Sequence, residues 1–171
     1  WTLAALAGTN VCLRKFGPAA VFEAIARHRV GFFCAAPVVL NMLVNAPAAV
    51  RRRAGQPVQA MTGGAAPPAA IIAAMEDLGI GVTHLYGLTE TYGPSVGCAW
   101  HEEWDGLPLA ERAALKSRIG VRKLNVEQVS VVDSALRPVP ADGATLGEIV
   151  VRGNTVMKGY LRNPQATAEA F

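Results

Sequence analysis

Apolar and polar positions follow two periods along the first half of the chain, and these predict strands and helices in alternation. Short apolar runs bounded by Gly or Pro are typical of buried strands, whereas apolar residues three and four positions apart are typical of amphipathic helices. Strands separated by helices favour an α/β fold, with a mostly parallel sheet flanked by helices. The pattern predicts strands over 10–14, 30–36, 58–61 and 81–86, and helices over 18–29, 38–45 and 67–78.

The pattern changes in the second half of the chain, where it predicts less helix and more antiparallel strand. A polar helix is predicted over 107–117, after an irregular stretch over 92–104. Two apolar runs, 127–133 and 146–152, are joined by a link rich in turn residues, which is typical of antiparallel strands. The Asn-Pro pair that begins at Asn163 predicts the start of a further helix.

Composition supports a folded chain with two parts. Of the 171 residues, 51% are hydrophobic and 17% are charged, which provides enough apolar surface for a core and excludes a disordered tail. We expect an α/β part over residues 1–126 and a β-rich, partly barrel-like part over 127–171.

Charge and hydropathy argue against two classes of partner. The net charge is +3, and the longest basic run, Arg51–Arg53, is too short for a nucleic-acid footprint. Residues 30–50 carry no charge, but Pro37 and Pro47 interrupt them, so a buried strand and a short helix explain the run better than a membrane span. We therefore expect no nucleic-acid partner and no transmembrane segment.

The cysteines and the chain ends bear on the compartment and on completeness. Cys12, Cys34 and Cys98 lie far apart and form no CxxC pair, which argues against a disulfide framework or a zinc site. We expect reduced, mostly packed thiols and a cytoplasmic location. The chain begins at Trp1 with no basic leader and stops at Phe171 inside a helical pattern, so we expect a piece of a longer protein.

Two unusual loops follow predicted strands, at the end of a sheet where open parallel folds bind ligands. The first is Gly63-Gly64-Ala65-Ala66. Its glycines allow a sharp turn and close approach of the backbone to a flat ligand, and its alanines leave room for one. An ordinary strand-to-helix turn explains the same residues, so this loop alone does not decide between the two.

The second loop, Tyr86-Gly87-Leu88-Thr89-Glu90-Thr91, carries more chemistry. The Tyr86 ring can stack on a base. The Thr89 hydroxyl and the backbone N–H groups of the turn can donate to phosphate oxygens, and Glu90 can hold Mg²⁺ on a polyphosphate. The alternative is a β-turn with a capping Thr and Glu. His84, on the strand before the loop, is interpreted as a packed or pocket-lining residue rather than a base.

A third element begins at Gly147-Glu148 and runs through Arg152-Gly153 to Gly159-Tyr160. Glu148 and Arg152 lie on the same face of a predicted strand, since side chains alternate with a period of two. We interpret this element as a scaffold strand with an ion pair.

Together these elements resemble the adenylate-forming, AMP-binding enzymes, which include acyl-CoA synthetases, luciferases and peptide-synthetase adenylation domains. The Gly63-Gly64-Ala65 turn, the Tyr86–Thr91 motif and the third element stand in that family's order and approximate spacing, and Pro164, Thr167 and Phe171 follow. Cys34-Ala35-Ala36-Pro37 and Thr91-Tyr92-Gly93-Pro94 look most like fatty or medium-chain acyl-CoA synthetases. The resemblance covers essentially the whole chain and implies the middle of the family's large N-terminal domain.

The resemblance implies a role for each matching residue. The adenine slot would be lined by Gly64, Ala65 and Ala66, with Tyr86 stacked on the ring. Thr89 would bind the α-phosphate and Glu90 would coordinate Mg²⁺; these two would be the catalytic residues. Residues 92–97 and 32–37 would border the acyl pocket. The full nucleotide-binding set would be Gly64, Ala65, Ala66, Leu85, Tyr86, Gly87, Leu88 and Thr89.

The resemblance also implies the reaction. In this family a carboxylic acid attacks the α-phosphate of ATP, which releases pyrophosphate and leaves an acyl-adenylate, and CoA then takes the acyl group. Alignment of the reactants and neutralisation of charge dominate such a step, so no side chain needs to be a nucleophile. We expect an acid–thiol ligase that uses ATP, Mg²⁺ and CoA.

Several parts of the family pattern do not occur in these residues. The Ser/Thr/Gly-rich loop with its Lys, the aromatic/His motif, the ribose-binding Asp and the late Lys have no counterpart, so we expect the chain alone to be inactive. Two alternatives remain: an adenylation domain that loads a carrier protein, and a non-catalytic nucleotide-binding remnant. A dinucleotide-binding domain is disfavoured, because no G-x-G-x-x-G follows the first strand. The acyl chain length and the thiol acceptor cannot be read from the sequence.

Overall fold

The predicted alternation of helices and strands over residues 18–88 is confirmed in a computed structural model, which describes residues 2–171. The described residues form two compact units. The first unit comprises the residues up to His84 together with Trp100–Arg118, and the second comprises Leu85–Ala99 and Ile119–Phe171. The predicted division into parts over 1–126 and 127–171 is a different partition and stays a prediction.

The helices and strands of the first unit follow the predicted order, with ends that differ by a few residues. Proline stands at the first position of two helices, where its missing N–H costs no hydrogen bond. The elements are α1 (Thr2–Ala5), α2 (Pro18–His28), β1 (Phe32–Cys34), α3 (Pro37–Val44), β2 (Val58–Thr62), α4 (Ala69–Asp77), β3 (Ile80–Leu88, up to His84 in this unit) and α5 (Leu109–Ser117).

The strands of the first unit are parallel. Phe32 of β1 lies opposite Gln59 of β2, and Thr62 at the end of β2 lies opposite His84 of β3. Apolar side chains of the strands and helices form the core, as expected of parallel strands covered by helices. The largest fully buried ones are Leu40, Leu43, Val58, Ile72, Met75 and Ile80.

Two predictions in the first unit are wrong. Residues 10–14 form no strand; they are exposed coil, because a strand needs a neighbour for its backbone groups and none of the described strands pairs with them. The thiols of Cys12 and Cys34 are exposed rather than packed, since Cys12 lies in this coil and Cys34 lies at the end of β1.

Helices α4 and α5 are joined by an ionic cluster. The Glu76 carboxylate, with only 10% of its side chain exposed, lies 3.4 Å from the Arg112 guanidinium and also accepts from the Lys116 ammonium. The Lys116 ammonium in turn lies 4.4 Å from the centroid of the Trp100 ring. The cluster therefore holds two positive charges in a largely desolvated place, and both depend on one carboxylate.

Replacing Glu76 with Gln is expected to lower the free energy of unfolding by about 1–3 kcal/mol, because it leaves two cations without their counter-charge. Urea denaturation followed by circular dichroism measures this change. Glu111→Gln, at an exposed position of α5, is the control and is expected to change stability by less than about 0.5 kcal/mol. Equal effects of the two substitutions would contradict the role assigned to Glu76.

The second unit contains two antiparallel arrangements. The last residues of β3 pair with β4 (Gly93–Gly97), and β4 pairs with β5 (Val121–Arg122). A separate two-stranded sheet consists of β6 (Gln128–Val132) and β7 (Glu148–Arg152), and the chain continues to α6 (Pro164–Ala170). The α/β class with a β-rich element after it is thus confirmed.

The prediction of an irregular stretch over 92–104 is wrong in its first half, which contains β4. Glycines at both ends and Pro94 gave this strand the composition of a loop. The strand forms because β3 continues beyond β2 and offers β4 a backbone partner, from Leu85 opposite Gly97 to Leu88 opposite Gly93.

The two strands predicted after residue 126 are confirmed as an antiparallel pair, but their ion pair differs from the prediction. Glu148 and Arg152 lie at opposite ends of β7, about 13 Å apart along a strand that rises about 3.3 Å per residue. Arg152 instead lies 3.6 Å from Glu127, because the register places Gln128 opposite Arg152.

Within residues 2–171, none of the helices has the length and apolar character that crossing a membrane requires.

Candidate functional site

The Gly63–Ala66 loop of the first unit follows β2 directly. Thr62, which ends the strand, is 2% exposed, whereas Gly64, Ala65 and Ala66 are exposed. Gly64 has a φ of +87°, a backbone conformation that residues other than glycine rarely adopt. A Cβ at this position would meet nothing within 4 Å. The loop thus presents an exposed surface of backbone and small side chains. Such a surface could bind a flat ligand, and the same loop also serves as a simple connection to α4.

The end of β3 in the second unit brings two backbones into unusually close contact. A Cβ on Gly87 would lie 2.1 Å from the carbonyl oxygen of Gly93 and 2.6 Å from the Cα of Pro94. The β3–β4 register shifts between Tyr86 and Gly87. Only glycine fits this position, and it places Tyr86, half-buried, immediately before the turn that follows the strand.

The turn Thr89–Thr91 is a short 3₁₀ helix held by the buried hydroxyl of Thr91. This oxygen accepts from the N–H of Leu88 at 3.1 Å and lies 3.0 Å from the carbonyl oxygen of Gly93, to which it can donate. The N–H of Tyr92 donates to the carbonyl oxygen of Thr89 at 3.1 Å, with Tyr92 at a φ of +56°. The Thr89 side chain is left exposed at the apex, where its hydroxyl can donate to a ligand.

Glu90 is the central charge of this turn. Its Oε1 accepts from the Tyr160 hydroxyl at 2.7 Å, and its backbone carbonyl accepts from the N–H of Met157 at 2.8 Å. The hydrogen bond from Tyr160 lowers the pKa of the Glu90 carboxyl below its ordinary value. Glu90 is therefore ionised at neutral pH, as a cation ligand must be.

The described residues contain no group of three His, Cys, Asp or Glu side chains that could hold a metal ion. The Glu90 carboxylate on its own offers hard oxygen donors to a cation. This fits Mg²⁺, which proteins often bind through one or two carboxylates together with water and the phosphates of a substrate. It does not fit a structural zinc site, which needs four protein ligands.

The other predicted site residues have simpler surroundings. Leu85 is half-buried and lies opposite Gly97, whereas Leu88 is 47% exposed. His84 is buried, 3% exposed, and its Nδ1 donates to the carbonyl oxygen of Ser117 at 3.0 Å. Its interpretation as a packed residue is consistent with this contact.

Two residues to which the sequence analysis gave no role of their own help to hold the turn. Thr91 fixes it from inside, and Tyr160 reaches its carboxylate from 70 residues further along the chain. The Gly159-Tyr160 pair could have indicated a special position, because the resemblance rests partly on it. Nothing in the sequence shows which residue Tyr160 contacts.

Comparison with known proteins adds independent observations. A family model described as "AMP-binding enzyme" matches residues 1–161. Acetate–CoA ligase CCL3 from Humulus lupulus is 53% identical over 176 residues, and acetate/butyrate–CoA ligase AAE7, peroxisomal, from Arabidopsis thaliana is 52% identical over 173 residues. Both matches cover 100% of this chain and 30% of the relative, so the chain spans less than a third of the length of these relatives.

The fold has a similar counterpart among solved structures. The crystal structure of the N-terminal domain of FACL13 from Mycobacterium tuberculosis superimposes with a TM-score of 0.76 at 25% identity, over 99% of this chain and 40% of that one. The family match extends through both units and includes the Tyr86–Thr91 motif and Tyr160. The chain belongs to the AMP-binding enzyme family.

Proposed function

We propose that this chain is part of an ATP-dependent acyl-CoA synthetase that activates a carboxylic acid as an acyl-adenylate and transfers it to CoA. The observation that carries the proposal is the Thr89–Glu90 turn. It presents the exposed Thr89 hydroxyl beside the ionised Glu90 carboxylate; the Thr91 hydroxyl holds the backbone of the turn and Tyr160 contacts the carboxylate.

The turn suits the first half-reaction. The Thr89 hydroxyl donates to an oxygen of the α-phosphate, where negative charge is redistributed as the acid attacks. Glu90 holds Mg²⁺, and the ion supplies charge neutralisation and orientation of the phosphates. The chain contributes positioned donors and charge, so it needs no covalent intermediate with a side chain.

Nucleotide contacts are assigned to each unit separately. In the first unit we assign contact with adenine to Gly64, Ala65 and Ala66, because these small residues leave the loop surface accessible to a flat ring. In the second unit Tyr86 contributes its ring, and Leu85, Gly87 and Leu88 contribute the backbone around it. The acyl pocket bordered by residues 32–37 and 92–97 stays a prediction.

Short-chain acids are the substrate class that the relatives favour. Their names give acetate and butyrate as substrates, at 52–53% identity over the whole of this chain. We extend this preference to the present protein and place the larger acids predicted from the sequence second. The proposed compartment is the cytoplasm, although one of these relatives is named as peroxisomal.

The test is acid-dependent exchange of pyrophosphate into ATP, with a complete enzyme that carries this chain. We expect exchange with acetate or butyrate, dependence on Mg²⁺, and thioester formation when CoA is added. The chain by itself is expected to catalyse no exchange, because the phosphate-binding Lys loop and the late Lys of the family have no counterpart among its residues.

Three results would contradict parts of this proposal. Transfer to a carrier protein but not to CoA would favour the adenylation domain of a larger synthetase. Nucleotide binding without exchange, with every acid tested, would favour a non-catalytic remnant. Exchange by the chain alone would overturn its expected inactivity.

A further inference from the structure

The segment Met157–Tyr160 contacts both the side chain and the backbone of Glu90. The Tyr160 hydroxyl donates to the side-chain Oε1 at 2.7 Å, and the Met157 N–H donates to the backbone carbonyl at 2.8 Å. One contact fixes the backbone of the turn and the other fixes the rotation of its carboxylate. Because a carboxylate has about four lone-pair sites, the bond from Tyr160 leaves acceptor capacity on Glu90 for a further ligand.

Helix α6 holds the Tyr160 backbone in place. The Tyr160 N–H donates to Thr167 Oγ1 at 3.0 Å, and the Thr167 hydroxyl donates to the carbonyl oxygen of Asn163 at 2.8 Å. Asn163 caps the helix by accepting from the N–H of Ala166 at 3.0 Å. The Tyr160 ring therefore projects from a backbone fixed by hydrogen bonds within the second unit.

Glycine at 159 is required for this arrangement. Its φ is +145°, and a Cβ there would lie 2.6 Å from Thr167 Cγ2. A larger residue would push the chain away from α6 and with it the hydroxyl that reaches Glu90. The geometry is thus specified by Gly159, Thr167 and Asn163 rather than by Tyr160 alone.

We propose that Tyr160 is a positioning residue that orients the Glu90 carboxylate toward the Mg²⁺ of the bound nucleotide; this rests on the proposed function. Tyr160 is 39% exposed, so the hydrogen bond to Glu90 contributes little to folding in water. Its effect falls on ligand geometry, since partners of this kind set the orientation of a metal-binding carboxylate. Tyr160 itself contacts neither the cation nor the substrate.

The experiment compares Tyr160→Phe with the unsubstituted enzyme, in a complete enzyme that carries this chain. Two quantities are measured: the Mg²⁺ concentration for half-maximal pyrophosphate exchange, and the affinity for Mn²⁺–ATP by electron paramagnetic resonance without the acid. We expect the half-maximal Mg²⁺ concentration to rise about 10–100-fold and the Mn²⁺–ATP complex to weaken by a similar factor. The melting temperature is expected to stay the same, because only an exposed hydrogen bond is lost.

Two further variants make the test specific. Gln165→Ala removes an exposed side-chain hydrogen bond, to Glu169 within α6, and is expected to leave both cation measurements unchanged. Thr167→Val removes the acceptor for the Tyr160 N–H and keeps the Tyr160 hydroxyl. We expect it to shift both measurements in the same direction as Tyr160→Phe, and it replaces that variant if Tyr160→Phe fails to fold.

The outcomes separate the inference from the function on which it rests. Unchanged cation dependence in Tyr160→Phe, with strong loss in Glu90→Gln, overturns the positioning role and leaves the proposed function intact. Unchanged cation dependence in both variants overturns the metal site itself. A shift in Tyr160→Phe matched by Gln165→Ala would mean a general effect of the region, and this also overturns the inference.

Discussion

Replacing Glu90 with Gln in a complete enzyme that carries this chain is expected to slow acyl-adenylate formation by about 10²–10³-fold. The substitution keeps the size of the side chain and an oxygen that can accept from Tyr160. It removes the negative charge of a carboxyl whose pKa the hydrogen bond from Tyr160 holds below its ordinary value. The loss therefore falls on cation binding rather than on the shape of the turn.

The measurement is pyrophosphate exchange at saturating acid over a range of Mg²⁺ concentrations. Glu148→Gln is the matched control, since Glu148 is an exposed carboxylate at the start of β7 in the same unit. It is expected to retain full activity. Exchange by Glu90→Gln at the rate of the unsubstituted enzyme would show that Glu90 does not hold the cation.

Adding one methyl group at Gly87 is expected to destabilise the protein by about 3 kcal/mol or more, and Gly87→Ala is the substitution that does so. The new Cβ would meet the carbonyl oxygen of Gly93 at 2.1 Å and the Cα of Pro94 at 2.6 Å. Both obstacles are backbone atoms of β4, so no side-chain rotation relieves the clash. The strands must separate where β3 leads into the Thr89–Thr91 turn.

Gly31→Ala is the control for this substitution, because a Cβ at Gly31 meets nothing within 4 Å and its φ lies outside the left-handed region. Urea denaturation of Gly87→Ala and Gly31→Ala, followed by circular dichroism, measures the change in the free energy of unfolding of each variant. We expect the control to change stability by less than about 1 kcal/mol. Similar values for both variants would contradict the close approach of β3 and β4.

The fold was predictable where a local pattern decides it. Residues 18–88 have clear apolar periods, prolines at helix starts and glycines after helix ends, and their helices and strands formed within a few residues of the prediction. The strand at Gly93–Gly97 was missed because its existence depends on a neighbour, β3, and not on its own Gly and Pro content. The strand over 10–14 was predicted wrongly for the same reason, since its apolar residues have no described partner strand.

In the candidate site, too, the residues within one short motif could be predicted and the long-range contact could not. A short motif was enough to point to Thr89 and Glu90, because both lie in one turn beside the end of a strand. Tyr160 could not be assigned to Glu90, since the two are 70 residues apart and no sequence period relates them. The conformation of the turn is thus determined by neighbouring residues, whereas the orientation of its carboxylate depends on a distant segment.

The hydrogen-bond series from α6 through Thr167 and Tyr160 to Glu90 has a practical consequence for protein engineering. A chimera or split enzyme whose junction falls between Tyr160 and Thr167 would separate the carboxylate from the helix that steadies it, without altering any residue of the turn. Residues 140–146, the exposed part of the link between β6 and β7, are the better place for a junction, because exposed loops tolerate insertion. Recombination libraries made from these relatives should therefore keep Glu90, Tyr160 and Thr167 from a single parent.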